Sequence, residues 1–369
     1  MTYNWQQPGW PQFNYHLKDT EAALFAFAVE TGHISGVLKA LPDDVEAETI
    51  INTMAAEAIK TSEIEGEYLS RQDVVSSIRN HLGLNKKLLR VKDKRSQGAG
   101  ELMVAVRNTF LLPLTEAMLF LWHKMLLRQN TTIQVGAWRK HKAPMQVVSG
   151  MIGKEKIHFD APPSAKVAGE MRRFIQWFND TAPGGKMEIK QAPVRSAIAH
   201  LYFESIHPFE DGNGRIGRAI AEKALSQTIG RPVLLSISQT IETDKKSYYK
   251  ALETAQRSNE ITNWIKYFVA TIIQAQVQTK ILIDFTLQKT KFFDRYKPLL
   301  NERQLEAIQK MLEAGVAGFK GGMTAKKYIS ITRTSKATAT RDLQQLTDAG
   351  VLLNSGGGRN THYLLNMEL

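Results

Sequence analysis

The segment His207-Pro-Phe-Glu-Asp-Gly-Asn-Gly-Arg-Ile-Gly-Arg218 joins two predicted helices and contains the side chains best suited to chemistry. Apolar residues recur at helical spacing before it, from Val194 to Ile206, and after it, from Ile216 to Ile229. Because Pro208 cannot continue the first helix, the segment is predicted to form a turn that opens the second. Free N–H groups and the helix dipole make such an N-terminus a favourable place for a phosphate.

Three kinds of side chain in this segment suit chemistry on a nucleotide phosphate. His207 is a titratable base at the edge of the turn. Asp211 offers the hard oxygen ligands that Mg²⁺ prefers. Arg215 and Arg218 are three residues apart, so both are predicted on one face of the second helix. Together they predict a base, an anion cradle and a metal carboxylate in one place.

The same segment resembles, residue by residue, the signature of the Fic family, His-Pro-Phe-x-Asp/Glu-Gly-Asn-Gly-Arg-x-x-Arg. Members of that family usually transfer AMP from ATP to a protein hydroxyl group. The resemblance implies that His207 is the general base toward a Ser, Thr or Tyr hydroxyl and that Asp211 holds Mg²⁺. It also implies that Arg218 meets the γ-phosphate, and that Asn213 and the backbone from Gly212 through Gly214 to Arg215 cradle the α- and β-phosphates. A phosphate-transferring branch has Lys at the position of Gly214, so the glycine favours AMP transfer.

Two further parts of the site follow from the resemblance. Ser247-Tyr-Tyr-Lys-Ala-Leu252 resembles the helix on the adenine side, which implies contacts from Tyr249 and Gln256. The family often has Asn where this chain has Gln256, and core packing is an equal alternative for Tyr249. Residues 145–159 are predicted to form a β-hairpin from the Ser149-Gly150 turn and the apolar residues on either side. In Fic proteins this hairpin is a flap on which the target protein docks, so a protein substrate is the expected partner.

A second motif lies near the N-terminus, in Thr61-Ser-Glu-Ile-Glu-Gly66. It follows a predicted helix, and Gly66 is a plausible helix stop. The helix dipole disfavours a carboxylate at this end, so Glu65 needs a partner. From the residues alone, a solvated helix face is the alternative. The segment resembles the Fic inhibitory motif Ser/Thr-x-x-x-Glu-Gly/Asn, which implies that Glu65 pairs with Arg218 and prevents a productive pose of the γ-phosphate.

Two other functional patterns in and near the signature segment are excluded by the residues around them. Gly212-x-Gly-x-x-Gly217 satisfies the dinucleotide-binding pattern, but that pattern requires a preceding strand, and a helix is predicted here. His200, His207 and Asp211 match no usual zinc spacing, and the chain has no cysteine. His200 is therefore predicted to be a packed or hydrogen-bonded histidine, with a supporting role as the alternative.

Length, composition and charge limit the classes of protein to which this chain can belong. The 369 residues are enough for about two domains, and the hydrophobic share of 43% is that of a globular protein. There is no cysteine, no signal-peptide pattern at the N-terminus and no membrane-length apolar run, so a cytoplasmic protein without a membrane partner is expected. The net charge of +12 suits a polyanion such as ATP, DNA or an acidic protein without choosing among them. Residues 86–95 are densely basic and are predicted to lie on a solvated helix face.

The predicted fold is mainly α: a Fic-type helical bundle with a β-hairpin flap and a small C-terminal winged helix. Its parts are an N-terminal helical region with the inhibitory motif over residues 1–90, a Fic core over 91–290 and a winged helix-turn-helix over 291–369. The last has three helical patterns and a glycine-tipped hairpin, with 12 Lys and Arg against 7 Asp and Glu. Lys336, Arg341 and Arg359 are its candidate DNA contacts, and protein docking is an equal alternative.

The sequence thus predicts an AMP-transferring enzyme that uses ATP and Mg²⁺ and is restrained by Glu65. Related enzymes also remove AMP with the same site, so the reverse reaction is open. The alternative from a different class is a nucleotide-sensing transcription regulator, in which the winged helix is the output.

Overall fold

The structure, a computed structural model, describes residues 2–85, 87–149 and 156–367. Within these ranges the chain forms fourteen α-helices and two β-hairpins, which confirms the mainly helical class. The helices are α1 (Glu21–Lys39), α2 (Asp43–Ile64), α3 (Arg71–His81), α4 (Lys94–Asn108), α5 (Glu116–Leu127), α6 (Ser164–Asp180), α7 (Ala192–Ile206), α8 (Asn213–Ile229), α9 (Ile237–Thr243), α10 (Lys245–Ala255), α11 (Thr262–Tyr296), α12 (Glu302–Leu312), α13 (Ala325–Thr332) and α14 (Lys336–Asp348). The hairpins pair β1 (Gln146–Ser149) with β2 (Lys156–Asp160), and β3 (Leu352–Ser355) with β4 (His362–Leu365).

The chain divides into two compact units. The first contains residues 1–37 and 50–279, and the second contains residues 38–49 and 280–369. The predicted boundary between residues 90 and 91 lies between α3 and α4, whereas the one between residues 290 and 291 lies inside α11. That helix ends at Tyr296, and Pro298 follows in a short 3-10 turn.

Helix α7 is the centre of the first unit, because all fifteen of its residues are buried. One side contributes Tyr202 and Phe203 to a cluster with α4, α5, α6 and α8. The other side contributes Val194 and Leu201 to a cluster with α9, α10 and α11. Each buried side chain of this size contributes about 1.5–3 kcal/mol of hydrophobic stabilisation. The last turn of α7, which leads into the signature segment, is therefore held firmly on every side.

The N-terminal arm, residues 2–15, packs aromatic side chains onto this centre. The rings of Trp10 and Phe13 meet the ring of Tyr202 edge-on, with centroids 5.1 and 5.7 Å away. Asn4 is fully buried and donates from Nδ2 to Ser205 Oγ at 2.8 Å. The arm thus reaches a residue only two positions before His207.

The predicted hairpin at residues 145–159 is confirmed for the part that the structure describes. Strands β1 and β2 are antiparallel, and the register pairs Val147 with Phe159 and Val148 with Ile157. Residues 150–155, which include part of the predicted turn, lie outside the described residues.

The prediction that the basic segment at residues 86–95 lies on a helix was wrong. Gly83, at φ +70°, follows the end of α3, and α4 begins only at Lys94. Asp93 caps α4 by accepting hydrogen bonds from the N–H groups of Arg95 and Ser96. Most of the segment is therefore an irregular connection, and Lys86 is outside the described residues. Helix α5 begins at Glu116, where Thr115 is its cap and Pro113 lies just before it.

The second unit has the predicted order of three helices followed by a hairpin. Asn301 and Gln304 form a capping box at the start of α12. Met323, between α12 and α13, exchanges two backbone hydrogen bonds of 2.8 Å with Tyr363 of β4. Among the residues that the structure describes, no helix is long and apolar enough to cross a membrane.

Candidate active site

His207 lies at the C-terminal end of α7 in a left-handed backbone conformation, with φ 51° and ψ 61°. For a residue other than glycine this conformation costs about 1–2 kcal/mol. Arg139, which is 1% exposed, stabilises it by donating to the carbonyls of His207 at 2.8 Å and Ile206 at 3.3 Å. The same guanidinium donates to Pro162 O at 2.6 Å, and burial lowers its pKa to about 10. The position of His207 is therefore fixed by a buried cation that binds backbone carbonyls.

The turn after His207 is closed by the side chain of Asn213. Its Oδ1 accepts from the N–H of Phe209 and its Nδ2 donates to the carbonyl of the same residue, both at 2.9 Å. Gly212 precedes α8 at φ +80°, a conformation that strongly favours glycine. The first N–H groups of α8 have no partner within the helix, an arrangement that suits a helix N-terminus to binding an anion. The side chain of Asn213 holds the turn before these groups through the backbone of Phe209.

His123 of α5 stabilises the same turn by contacts with Phe209 and Asp211. Its ring stacks on Phe209 with centroids 4.1 Å apart, and its Nε2 lies 3.1 Å from Asp211 O. Gly136 donates its N–H to Nδ1 at 2.8 Å, so Nε2 carries the proton and donates to Asp211. Burial lowers the pKa of His123, which fits a neutral ring with this fixed tautomer.

Asp211 presents a half-exposed carboxylate at the edge of the turn. One carboxylate oxygen accepts from the N–H of Gly212, and it lies 3.4 Å from Arg215 Nη2. The residues that the structure describes contain no group of three or more His, Cys, Asp or Glu arranged to hold a metal ion. A single reachable carboxylate fits Mg²⁺, which usually keeps waters and shares its coordination with phosphate oxygens. It does not fit a closed zinc site.

Helix α2 ends so that two carboxylates reach the start of α8. Gly66, at φ +81°, donates its N–H to Glu63 O, and Glu67 donates its N–H to Ser62 O. This is the Schellman arrangement that commonly terminates helices at a glycine. Glu65 and Glu67, on either side of Gly66, each bind an arginine of α8.

The ion pair predicted between Glu65 and Arg218 is present, with 2.6 Å between Oε1 and Nη2. Arg218 is 2% exposed and also donates to Thr61, at 2.7 Å to Oγ1 and 2.9 Å to the carbonyl. Burial alone would lower the pKa of Arg218, but the charge and hydrogen bond of Glu65 raise it above its ordinary value. A Cβ added at Gly214 would collide with Glu65 Oε1. The first turn of α8 thus already accommodates one anion, the carboxylate of Glu65.

The side chain of Arg215 lies apart from that of Arg218, because each guanidinium binds a different carboxylate of the N-terminal region. It is 3% exposed and does not line the cavity described below. Its Nη1 binds Glu67 Oε2 at 2.7 Å, while its Nη2 faces Asp211. Its side chain therefore links the N-terminal region to the candidate metal ligand, and its backbone remains in the first turn of α8.

The other predicted site residues line one cavity of about 1200 Å³. They are Glu65, His207, Asp211, Gly212, Asn213, Gly214, Arg218, Tyr249 and Gln256. Tyr249 donates its hydroxyl to Ile64 O at 3.4 Å, and burial together with the charge of Glu65 raises its pKa to about 12. Gln256 is 5% exposed and donates from Nε2 to Glu204 O at 3.1 Å.

The described part of the hairpin forms one wall of this cavity through Val147, Val148, Lys156 and His158. His158 Nδ1 lies 3.1 Å from Glu253 Oε2, and Arg257 donates to His158 O at 3.1 Å. The hairpin is thus attached to α10 and its C-terminal end. Val148 and Ile157, which face each other across the strands, are 48% and 44% exposed.

Several functional candidates escaped the sequence analysis. Thr61 is the first residue of the inhibitory motif, but nothing in the motif indicates its contact with Arg218. Glu67 and Arg139 carry no local signal, because their partners lie 148 and 68 residues away. Glu204 did carry one: it is a carboxylate inside an apolar helix, three residues before His207. His200 is the hydrogen-bonded core histidine predicted, with Nε2 at 2.8 Å from Tyr248 Oη.

Comparison with known proteins agrees with this arrangement. Residues 113–225 match the Fic/DOC family, and residues 3–84 match a domain of unknown function, DUF4172. The protein adenylyltransferase Fic of Drosophila melanogaster is 26% identical over 191 residues, which cover 52% of this chain and 33% of that protein. The protein of the same name from Culex quinquefasciatus is 29% identical over 155 residues, covering 42% of this chain and 27% of that one. This chain therefore spans about a third of the length of these relatives or less.

Solved structures extend the similarity in fold. A Fic family protein from Desulfovibrio desulfuricans G20 superposes with a TM-score of 0.54 at 19% identity, over 96% of this chain and 98% of that chain. Fic-1 from C. elegans gives a TM-score of 0.50 at 17% identity, over 70% and 71% of the two chains. The Fic-like fold predicted from the sequence is thereby confirmed. Residues 113–225 form a domain of the Fic/DOC family, distantly homologous to the Fic protein adenylyltransferases, and a DUF4172 domain precedes it at residues 3–84.

Proposed function

We propose that this protein is an adenylyltransferase that moves AMP from Mg·ATP to a hydroxyl group of a target protein and is inhibited at rest by Glu65. One observation carries the proposal. A base, a helix N-terminus and a carboxylate surround a single cavity, and the arginine expected to bind the γ-phosphate is occupied by Glu65. Each feature belongs to the signature segment or to the segment that contacts it.

The chemical step uses residues already in place. His207 accepts the proton of the target hydroxyl, and the oxygen attacks the α-phosphorus of ATP. The bond between the α-phosphorus and the bridging oxygen breaks, and pyrophosphate leaves with the electron pair. Asp211 would hold Mg²⁺, which neutralises negative charge on the phosphates when it is bound. The backbone N–H groups of Asn213 and Gly214 would orient the phosphates at the start of α8.

Inhibition follows from competition between two anions. The carboxylate of Glu65 and the γ-phosphate both require Arg218, which is buried and can pair fully with only one of them. With Glu65 in place, ATP can still bind through its other phosphates, but its α-phosphate is not aligned for attack. A misplacement of about 1 Å costs on the order of a hundredfold in rate. Thr61, Glu65 and Glu67 all lie within the DUF4172 domain, which gives that domain an inhibitory role in this proposal.

The target is expected to dock along the β1–β2 hairpin. The edge of a two-stranded hairpin offers backbone groups to an extended segment of another protein. Because β1 and β2 line the cavity, a segment paired there would bring its hydroxyl toward His207.

A second candidate function, DNA binding, is favoured by the surface of α14. Lys336 and Arg341 are exposed on this helix, which follows α13 after a short turn, as in helix-turn-helix domains. The side chain of Arg359, the third predicted contact, is not among those that the structure describes. This function would accompany AMP transfer or replace it as the output of nucleotide binding.

Labelled ATP tests the proposal. The Glu65→Gly variant is incubated with cell lysate and ATP that carries the label on the α- or the γ-phosphate. AMP transfer predicts protein labelling from α-labelled ATP alone. Labelling from γ-labelled ATP would indicate phosphate transfer, and labelling from neither would leave nucleotide sensing as the better account.

A further inference from the structure

Glu204 lies next to the proposed base, His207. It is in the last turn of α7, three residues before His207, and is 4% exposed. Its Oε2 lies 3.5 Å from His207 Nδ1, a buried nitrogen that has no hydrogen-bond partner among the described residues and has this carboxylate as its ion-pair neighbour. Since His207 lines the cavity while Nδ1 faces inward, Nε2 is the ring nitrogen left to meet a substrate.

The surroundings of Glu204 favour a charged carboxylate. Burial by itself raises its pKa, but the nearby His207, together with the charges of His200 and Arg218, brings it below the ordinary value. The other ionisable groups facing this network are Tyr248, hydrogen-bonded to His200, and Glu65, paired with Arg218. Glu204 thus lines the same cavity as His207, but only 4% of its surface is exposed and its nearest charged neighbours are His207 and Arg218.

Packing also restricts where this carboxylate can point. A Cβ added at Gly217 of α8 would collide with Glu204 Oε1 and would lie 3.2 Å from His200 Nδ1. The glycine therefore lets α8 approach closely enough to confine the Glu204 side chain. Oε1 has no hydrogen-bond partner among the described residues, which leaves Oε2 and its contact with His207 as the polar interaction of the group.

We propose that Glu204 is a positioning residue that holds His207 with its proton on Nδ1 and its lone pair on Nε2. The inference rests on the proposed function, because it concerns the same base. An Nδ1–H group donates to Glu204 Oε2, and Nε2 then accepts the proton of the target hydroxyl. The ring becomes a cation with both nitrogens protonated, and the carboxylate stabilises it without taking the proton itself. The proton leaves Nε2 for solvent after the AMP ester has formed.

A purely structural role explains Glu204 poorly. Removing a carboxylate from water costs several kcal/mol, and an apolar residue of similar size would fill the same space in an apolar helix without that cost. In the proposed role, the negative charge of Glu204 stabilises the cation that forms at His207 during each turnover.

The tautomer of His207 tests the inference independently of AMP transfer. In full-length protein labelled with ¹⁵N on histidine, the ring nitrogens are observed at a pH where the ring is neutral, and the His207→Ala spectrum assigns them. We expect the Nδ1–H form in the wild type. Glu204→Gln removes the negative charge that favours Nδ1–H, and the amide can donate to Nδ1 as well as accept from it, so the Nε2–H population should rise clearly. A wild-type ring in the Nε2–H form, or a tautomer ratio that is the same in Glu204→Gln as in the wild type, would overturn the proposal.

Kinetics provide the second readout, in the Glu65→Gly background. Adding Glu204→Gln should lower kcat on the order of a hundredfold or more, with less than a threefold change in the Kd for ATP. Glu204→Asp, which keeps the charge, should recover part of kcat and retain the Nδ1–H tautomer. Glu188→Gln removes an exposed carboxylate from the loop after α6 and is the matched control.

The tautomer and kinetic measurements together distinguish failure of the Glu204 proposal from failure of the proposed function. If no variant transfers AMP, the proposed function fails, but the tautomers still decide the role of Glu204. If Glu204→Gln does not fold, as judged by its thermal unfolding, the wild type and Glu204→Asp decide it. Equal kcat values for the Glu204→Gln and Glu188→Gln double variants would reduce Glu204 to a structural residue.

Discussion

Glu65 and Arg218 are 153 residues apart in sequence, yet Oε1 of the first lies 2.6 Å from Nη2 of the second. The contact exists because the Schellman end of α2 meets the first turns of α8. Gly214 makes the approach possible, since any side chain there would meet the carboxylate. The same residues therefore determine both the fit of the N-terminal domain and access to the phosphate site, and the following predictions test this coupling.

Replacing His207 by alanine should abolish AMP transfer and leave ATP binding nearly unchanged. The imidazole acts on the incoming hydroxyl, whereas the nucleotide is held by α8. Loss of a general base typically costs about 10²–10⁴ in rate. Label transfer and the Kd for ATP are measured side by side in the Glu65→Gly background. Transfer at the rate of that background would show that another group is the base.

Asp211→Asn should weaken the Mg²⁺ dependence of nucleotide binding and remove most of the activity. The amide keeps the size of the side chain but lacks the charge that a hard cation requires. ATP affinity is measured by calorimetry with and without Mg²⁺, and Glu210→Gln next to it is the control. An unchanged gain in affinity on adding Mg²⁺ would place the metal ligand elsewhere.

Glu67→Gln should release the inhibitory segment partially, so that turnover rises by less than it does in Glu65→Gly. The pair between Glu67 and Arg215 is partly buried and is worth about 1 kcal/mol, or roughly fivefold in the population of the released state. Arg218 stays occupied by Glu65, which limits the gain. Label incorporation by the two single variants decides the order. A gain larger in Glu67→Gln would make Arg215 the arginine that matters most.

For the second unit, Lys336→Gln with Arg341→Gln should weaken DNA binding of the full-length chain at every ionic strength. Each lost phosphate contact should also reduce the salt slope by roughly 0.9. Lys310→Gln on α12, whose side chain pairs with Glu313, is the control. Binding that is insensitive to salt, or equal in all variants, would favour protein docking over DNA.

The central part of the fold was predictable because local signals agree there. The signature segment combines an apolar helix, Pro208 and a glycine-bearing turn, so α7, the turn and α8 follow from local rules. The capping box at Asn301 is a similar case. By contrast, the helix predicted for the basic segment at residues 86–95 does not form. The broad helical pattern of this region did not show that one helix ends before Gly83 and that Asp93 caps the next.

The site was predictable where it lies within one segment and less so where distant segments meet. The signature gave His207 and Asp211, and the inhibitory motif gave Glu65. The buried partners Arg139 and Glu67 depend on contacts that no spacing rule encodes. Arg215 illustrates the limit: its helical spacing to Arg218 predicted a shared face, but Glu67 and Asp211 hold its guanidinium outside the cavity.

The most direct test of the account is the rate at which Glu65→Gly incorporates the α-phosphate label at saturating Mg·ATP. Removing the carboxylate frees Arg218, so transfer, including self-modification, should rise well above the wild-type rate. The gain should appear mainly in turnover and less in ATP affinity. Glu63→Gly introduces the same flexible residue two positions earlier, where the side chain pairs with Lys60, and should give no comparable gain.

Adding Arg218→Ala to Glu65→Gly completes the measurement. The account predicts that the double variant loses the gain, because the freed arginine is what the first substitution exposes. A Glu65→Gly variant no faster than the wild type toward any protein, itself included, would contradict inhibition by Glu65. A double variant as fast as Glu65→Gly would contradict the role of Arg218.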